Sequence, residues 1–351
     1  MSDTPQHDAD GPPLASADPD PPRRRRRVKR IVLVSIASLT ALIVVIAGGG
    51  YLFANHILSG VHRISVPALT APHQPTGGTR NSVTVLLTAD AVGKAPHGTV
   101  PAASKGPASG LISLIHLDAN KRGGAVISLP PNAMVPIPGH GKKDLGDALA
   151  LGGPSLLVET IERLTDVRIN HYSVLSFSGA LAVIDALGGV NVDVPYATTS
   201  SGYTFHKGIN HITSHSAIAY ARQDDVSEIG RELLQQNLIR SMVSKMANQH
   251  LFHSPTVDYR LVRALAGALS VDSNLSNSQL VSLAVGLGNL GSKEGTFVDA
   301  PTVRGSATRG GDKPVHLKRA LSRKLWQAIR HDSVAAFALR YPSTVTSPAP
   351  D

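Results

Sequence analysis

The chain has 351 residues, of which 42% are hydrophobic and 4% aromatic, with no cysteine and a formal charge of +9. A hydrophobic share of this size excludes a wholly disordered chain, and the missing cysteine excludes disulfide frameworks, thiolate metal sites and cysteine nucleophiles. The positive charge belongs to the ends: residues 1–30 hold seven Lys/Arg against five Asp, residues 303–351 hold nine against three, and residues 31–302 hold 18 basic against 17 acidic, a balance that does not read as a nucleic-acid surface.

Residues 1–30 are Asp- and Pro-rich and end in a basic run, Arg23 to Arg27 with Lys29 and Arg30, which reads as a disordered cytoplasmic tail. Ile31 to Phe53 is uncharged and dense in Ile, Val, Leu and Ala. At about 1.5 Å per residue such a helix crosses the ~30 Å hydrocarbon core, and the basic run before it predicts a single-pass signal-anchor with the N-terminus inside and the rest extracytoplasmic. A cleaved signal peptide is the rival, but its apolar region is only about 7–15 residues and needs a small-x-small cleavage site, which is not evident here. Residues 54–81 read as a juxtamembrane linker, 82–332 as the extracytoplasmic domain and 333–351 as a C-terminal tail, unstructured from Pro342 on.

Within the domain, Val83 to Leu87, Leu111 to Leu117 and Ala125 to Leu129 read as strands, the last two joined by a turn at Asn120 to Gly124. Gly153 to Leu164 has helical spacing, with Pro154 tolerated at its start. Tyr172 to Phe177 alternates as a strand, Ser178 to Leu187 is helical, Gly188-Gly189 ends that helix, Val190 to Val194 is a strand stopped by Pro195, and Val226 to Met246 is helical again. Alternating strands and helices predict an α/β fold with a mixed central sheet flanked by helices.

Certain strings in this order carry a resemblance. They are Ile169-Asn170-His171-Tyr172, Phe177-Ser178-Gly179, Ile184-Asp185-Ala186-Leu187-Gly188-Gly189-Val190 and Val192-Asp193-Val194. Gly208, His211, the run Ala217 to Arg222, Gly230-Arg231 and Gln235-Gln236 follow. Together they resemble the LytR–CpsA–Psr family of membrane-anchored envelope proteins, whose domain is also called the cell envelope-related transcriptional attenuator domain. The resemblance runs from Ser82 to Asp332. It implies an apolar tunnel for a polyprenyl chain and transfer of a glycopolymer from a polyprenyl-pyrophosphate carrier to peptidoglycan or another cell-wall acceptor. That chemistry calls for cations around the pyrophosphate and for a carboxylate-held divalent metal, here Mg²⁺, or a base.

Matched position by position, the resemblance implies catalytic and metal roles for Asp90 and pyrophosphate-binding roles for Arg222, Arg231 and Gln235, with Arg231 also catalytic. Much of the rest of the set is replaced. Gly110 stands for the second carboxylate, Pro130-Pro131-Asn132 for Pro-Arg-Asp, and Asp144-Leu145-Gly146 for Lys-Ile-Asn. Asp224 and Leu234 stand for two further arginines. Acids introduced beside a pyrophosphate repel it, while Lys142 and Lys143 lie near enough in sequence to compensate in part. Asp90 also suits the cap of a turn, and Arg222 and Arg231 also suit ion pairs with Asp224, Asp225 or Glu228. His206, His211 and His215 raise a zinc reading that no neighbouring carboxylate pattern supports. No glycine-rich phosphate loop and no Gly-x-Ser-x-Gly elbow is present. The expectation is a membrane-anchored protein that binds polyprenyl-linked wall precursors with weak or no catalysis. Its alternatives are an active phosphotransferase and a transcriptional attenuator, the last disfavoured because so few residues would lie inside the cell.

Overall fold

The computed structural model describes residues 60–72, 74–90, 109–120, 123–194, 196–221, 259–290, 295–304 and 314–345, together with 223, 234, 237, 238, 241, 242, 245 and 246. All of them belong to the unit spanning Asn55–Asp351; the expected span at 31–53 lies outside the described residues, among which no helix is long and apolar enough to cross a membrane. The β-branched and leucine-rich runs form the strands anticipated for them. These are β2 (Val83–Asp90), β3 (Ser109–Leu117) and β4 (Gly124–Leu129), which follow the short β1 (His62–Ile64). Next come the hairpin of β5 (Met134–Ile137) and β6 (Gly141–Asp144), then helix α1 (Asp147–Thr165), β7 (His171–Leu175), helix α2 (Phe177–Ala186) and β8 (Val190–Val194). The chain continues through β9 (Thr198–Ser200), β10 (Tyr203–Phe205), β11 (Gly208–Ile212), α3 (Ser214–Ala221), α4 (Tyr259–Ala268), β12 (Leu269–Asp272) and α5 (Asn277–Leu290). It closes with β13 (Gly295–Asp299), β14 (Thr302–Arg304), β15 (Val315–Leu317), α6 (Arg319–Arg330) and α7 (Val334–Arg340).

Seven strands make one mixed sheet in the order β1-β12-β7-β2-β3-β4-β13. β2 pairs antiparallel with β3 and parallel with β7, and β3 pairs antiparallel with β4. Because side chains alternate along a strand, β2 and β3 feed two apolar layers at once. Leu86, Ile112 and Leu114 face a layer completed by Leu157, Val158 and Ile161 of α1, Leu325 and Ile329 of α6 and Phe337 of α7. Val85, Leu87, Leu111 and Ile115 face the other, completed by Val183 and Ile184 of α2, Tyr220 of α3 and Leu261 of α4. Residues 234, 237, 238, 241, 242, 245 and 246 are helical and repeat at three- and four-residue spacing, which puts Leu234, Leu238 and Met242 into this second layer.

Three departures from the sequence-based boundaries have local causes. Helix α1 begins at Asp147 rather than Gly153, because a first turn precedes a kink where Gly152 and Gly153 leave helical φ/ψ and Pro154 restarts the helix. The stretch read as linker enters the fold: β1 pairs parallel with β12, and Val66 and Leu69 are buried. Arg63 donates to the Leu275 carbonyl and to Asn277 Oδ1, fixing that edge. The stretch read as tail also packs: α7 buries Val334, Phe337 and Ala338, a 3₁₀ turn covers Pro342–Thr344, and Val345 bridges to Val298. Packing therefore continues past residue 332, through a helix too short to announce itself by periodicity.

Helices α2 and α4 approach closely at Gly179, where an added Cβ would lie 2.3 Å from the Ala268 Cα. Gly179→Val is expected to lower unfolding stability by about 1–3 kcal/mol or more, since backbone and not a movable side-chain tip is met. Gly267→Ala, on α4 with open space around it, should instead gain about 0.5–1 kcal/mol from helix propensity. Denaturant midpoints of the two variants, moving in opposite directions, check this packing.

Candidate functional site at the end of strand β2

Asp90 closes β2, opposite Ser109 of β3, just after a register shift between Ala89 and Asp90. Gly110 follows at the same end, and the cross-strand row Thr88–Ile112–Leu129 brings β4 out beside them. There the chain enters Pro130-Pro131-Asn132. Gly146 N–H donates to the Pro131 carbonyl at 2.8 Å and Leu145 N–H to the Ala133 carbonyl at 2.9 Å, so the β5–β6 hairpin folds back onto this segment. Asp144 ends that hairpin opposite Met134, while Lys142 and Lys143 are exposed along it. The structure thus gathers Asp90, Gly110, Pro131, Asn132 and Asp144 at one end of the sheet. Of the positions where the resemblance implies acids, Gly110 brings no side chain and Asn132 a neutral amide, which leaves Asp90 from that set, with Asp144 as a further carboxylate at this end.

A second wall comes from α3 and the helical residues after it. Tyr220 is fully buried, meets Phe205 edge-on at 5.6 Å, and accepts a hydrogen bond from Asn237 Nδ2 at 3.0 Å. Asn237 Nδ2 also donates to the Asp193 carbonyl at 3.1 Å, joining this wall to β8. Burial pushes the Tyr220 phenol up to about 12, so it keeps its proton near neutrality and cannot serve as a base there. Leu234 is 7% exposed and packs with Leu238 and Met242. Gln223 is 1% exposed, and its Nε2 has no hydrogen-bond partner among the described residues. Arg222, Asp224, Arg231 and Gln235 lie outside the described residues, as does the Asp90 side chain.

The string Leu187-Gly188-Gly189-Val190 has a backbone reason. Both glycines take positive φ, 69° and 93°, and a Cβ on Gly189 would lie 2.3 Å from His211 Nε2. That approach aligns β8 against β11, with His211 Nδ1 3.0 Å from Asn191 Oδ1. The other two histidines of the zinc reading go elsewhere: His206 N–H donates to Asn210 Oδ1, and His215 Nδ1 lies 3.5 Å from Ser214 Oγ. Among the described residues the three form no metal-ligating group.

Between α2 and α4 an open groove of about 410 Å³ is lined by Gly179, Ala182, Ala264 and Gly267, with Arg260 and Arg263. It adjoins the same end of the sheet. Ala268 leads into Leu269, Leu269 pairs with Leu175, and Leu175 pairs with Ala89, next to Asp90. Sequence reasoning did not single out this groove, because small residues on two separated helices carry no local signal.

The family model described as the LytR_cpsA_psr family matches residues 79–309. The chain belongs to this family. Among curated relatives of the LytR_cpsA_psr family, a protein of Bacillus cereus (strain AH820) named polyisoprenyl-teichoic acid–peptidoglycan teichoic acid transferase TagU is 29% identical over 257 residues, covering 68% of this chain and 78% of that protein. A TagU of Bacillus anthracis matches to the same extent. The fold is that of solved family structures. B. subtilis TagV aligns with a TM-score of 0.57 at 20% identity, over 73% of this chain and 98% of that one. A LytR-Csp2A-Psr enzyme from Actinomyces oris aligns with a TM-score of 0.57 at 18% identity, over 77% and 96%.

Tyr220 holds its proton more tightly in the fold than in the unfolded chain, so stability falls as pH rises between about 10 and about 12. Tyr220→Phe is expected to remove that part of the alkaline loss, while costing about 0.5–1.5 kcal/mol at neutral pH for the hydrogen bond with Asn237. Unfolding midpoints measured across the alkaline range check both effects.

Proposed function

We propose that this LytR_cpsA_psr protein is a single-pass membrane protein whose extracytoplasmic domain binds a polyprenyl-linked envelope glycopolymer precursor, with weak or no transfer to peptidoglycan or another wall acceptor. The observation that carries the reading is Leu234, 7% exposed inside the apolar layer. At that position the family resemblance calls for a pyrophosphate-binding arginine, and a buried leucine offers neither charge nor donor. Pro131, whose carbonyl takes the Gly146 N–H, and Asp144 add a missing cation and a reversed one at the same end. Of the set the resemblance implies, Arg222, Arg231 and Gln235 remain for a pyrophosphate and Asp90 for Mg²⁺. The lipid half of the proposal is supported by the aliphatic layer under α2 and α4 and by the groove between them. There, small apolar residues adjoin Arg260 and Arg263 close to the strand end that carries Asp90. An isoprenoid gains about 25 cal/mol per Å² of apolar surface covered, and a phosphate head prefers an arginine nearby.

Active phosphotransfer is the second reading. It is favoured by the relatives, which are named as teichoic acid transferases and match over 78% of their length. The full chain in detergent, given a polyprenyl-pyrophosphate-linked glycopolymer and peptidoglycan, separates the two. The expected result is polyprenyl-phosphate binding with turnover no higher than background, with or without magnesium. Turnover that vanishes in Asp90→Asn or Arg231→Ala would establish the enzyme instead. Topology is checked independently: a reporter active only outside the membrane should work when fused after Arg80 or after Val194, and a cytoplasmic reporter should be silent at both.

A further inference from the structure

The opposite end of the β2–β3 pair carries ionisable groups that the proposed function does not use. His116 stands on β3 directly across from Thr84 of β2. Thr84 lies six positions before Asp90, about 20 Å away at the usual strand rise. The His116 side chain is 2% exposed; its Nδ1 lies 2.9 Å from Thr84 Oγ1, its Nε2 2.8 Å from Asp332 Oδ1 and 3.9 Å from Asp118 Oδ1. Asp118 follows β3 directly. Asp332 lies between α6 and α7 at a φ of 48° and accepts the Ala119 N–H on Oδ2 at 2.9 Å, which leaves Oδ1 turned to the imidazole. One ligand atom from each of the three side chains lies within 4.8 Å of the other two.

A histidine–aspartate hydrogen bond accounts for His116 and Asp332, but it does not account for Asp118. Two carboxylates, with side chains 24% and 15% exposed, face one ring nitrogen. The group stays net negative whether the imidazole is neutral or protonated, and negative charge held out of water is costly without a counterion. A cation between the three relieves all of this. Thr84 Oγ1 can accept from Nδ1–H, which fixes the tautomer whose Nε2 lone pair points at the carboxylates, as the outer hydrogen bond of a metal-binding histidine does. One imidazole nitrogen with two carboxylate oxygens, and solvent access on the Asp118 side for a water, suits zinc or a similar first-row divalent ion better than the all-oxygen preference of calcium or magnesium.

We infer that His116, Asp118 and Asp332 form a site for a divalent transition cation of the zinc class, separate from the Asp90 end of the sheet. Its effect is to clamp the α6–α7 turn onto the end of β3, so that metal binding and the docking of the last two helices are one event. Untagged full-length protein, stripped with a chelator and titrated with Zn²⁺ by calorimetry, is expected to bind one ion per chain with a rise in unfolding temperature. Co²⁺ in its place should give visible absorption typical of nitrogen and oxygen ligation. Asp118→Asn should weaken Zn²⁺ binding by about ten-fold or more, and should leave the metal-free unfolding temperature unchanged or higher, since only the repulsive partner is removed. His116→Gln should abolish binding, and if it does not fold, Asp118→Asn and Asp332→Asn together decide. Absence of Zn²⁺ binding, or wild-type affinity in both Asp118→Asn and Asp332→Asn, overturns the inference and leaves a hydrogen-bonded clasp.

Discussion

The period-two alternation of β2 and β3 is the constraint from which the rest of this domain follows. Leu86, Ile112 and Leu114 belong to one helical layer and Val85, Leu87, Leu111 and Ile115 to the other. A slip of one residue would therefore exchange two complete apolar faces. The same register lifts Thr88 to the Tyr172 hydroxyl at 2.8 Å and sets Thr84 against His116. It also decides what arrives at each end of the pair. Asp90 and the Pro130-Pro131-Asn132 segment meet at one end, and the His116 cluster forms at the other.

This arrangement is compatible with the family fold whatever side chains stand at the positions to which the resemblance assigns phosphate binding. In the β5–β6 hairpin Val135 and Ile137 pack into the first apolar layer, whereas Lys142 and Lys143 are exposed and Asp144 is half-buried, so replacing the latter three costs the fold little. The backbone bonds Gly146 to Pro131 and Leu145 to Ala133 hold the hairpin whatever those side chains are. Leu234, where the resemblance implies an arginine, joins the apolar layer outright and contributes to its packing.

Strands β2, β3, β4, β7 and β8 were legible in the sequence because each is an apolar or β-branched run bounded by glycine, proline or a polar turn. Helix α2 was legible through its spacing and the Gly188-Gly189 stop. The edges were not. β1 is three residues, two of them charged or polar, and it becomes a strand only because β12 lies beside it. Helix α7 spans seven residues with Pro342 close behind, too little for a periodicity argument. In the site, the clustering of Asp90, Pro131 and Asp144 followed from matching short strings in order, whereas the burial of Leu234 needed the packed layer to be seen. His116 was hidden inside an apolar strand run, and its partner Asp332 lies 216 positions away. No local pattern joins such a pair.

The pairing of β1 with β12 has a mechanical side. Any tension arriving from the N-terminal side of residue 60 enters the sheet through β1, whose ladder has only three registered pairs, His62 with Ser270, Arg63 with Val271 and Ile64 with Asp272. Arg63 ties the same strand to Leu275 and Asn277, beyond the end of β12. The eight-pair ladder between β2 and β3 begins three strands further into the sheet order and is reached only after this short edge has parted. Under such a load the edge strand is the element that yields first, sparing the two packed layers behind it.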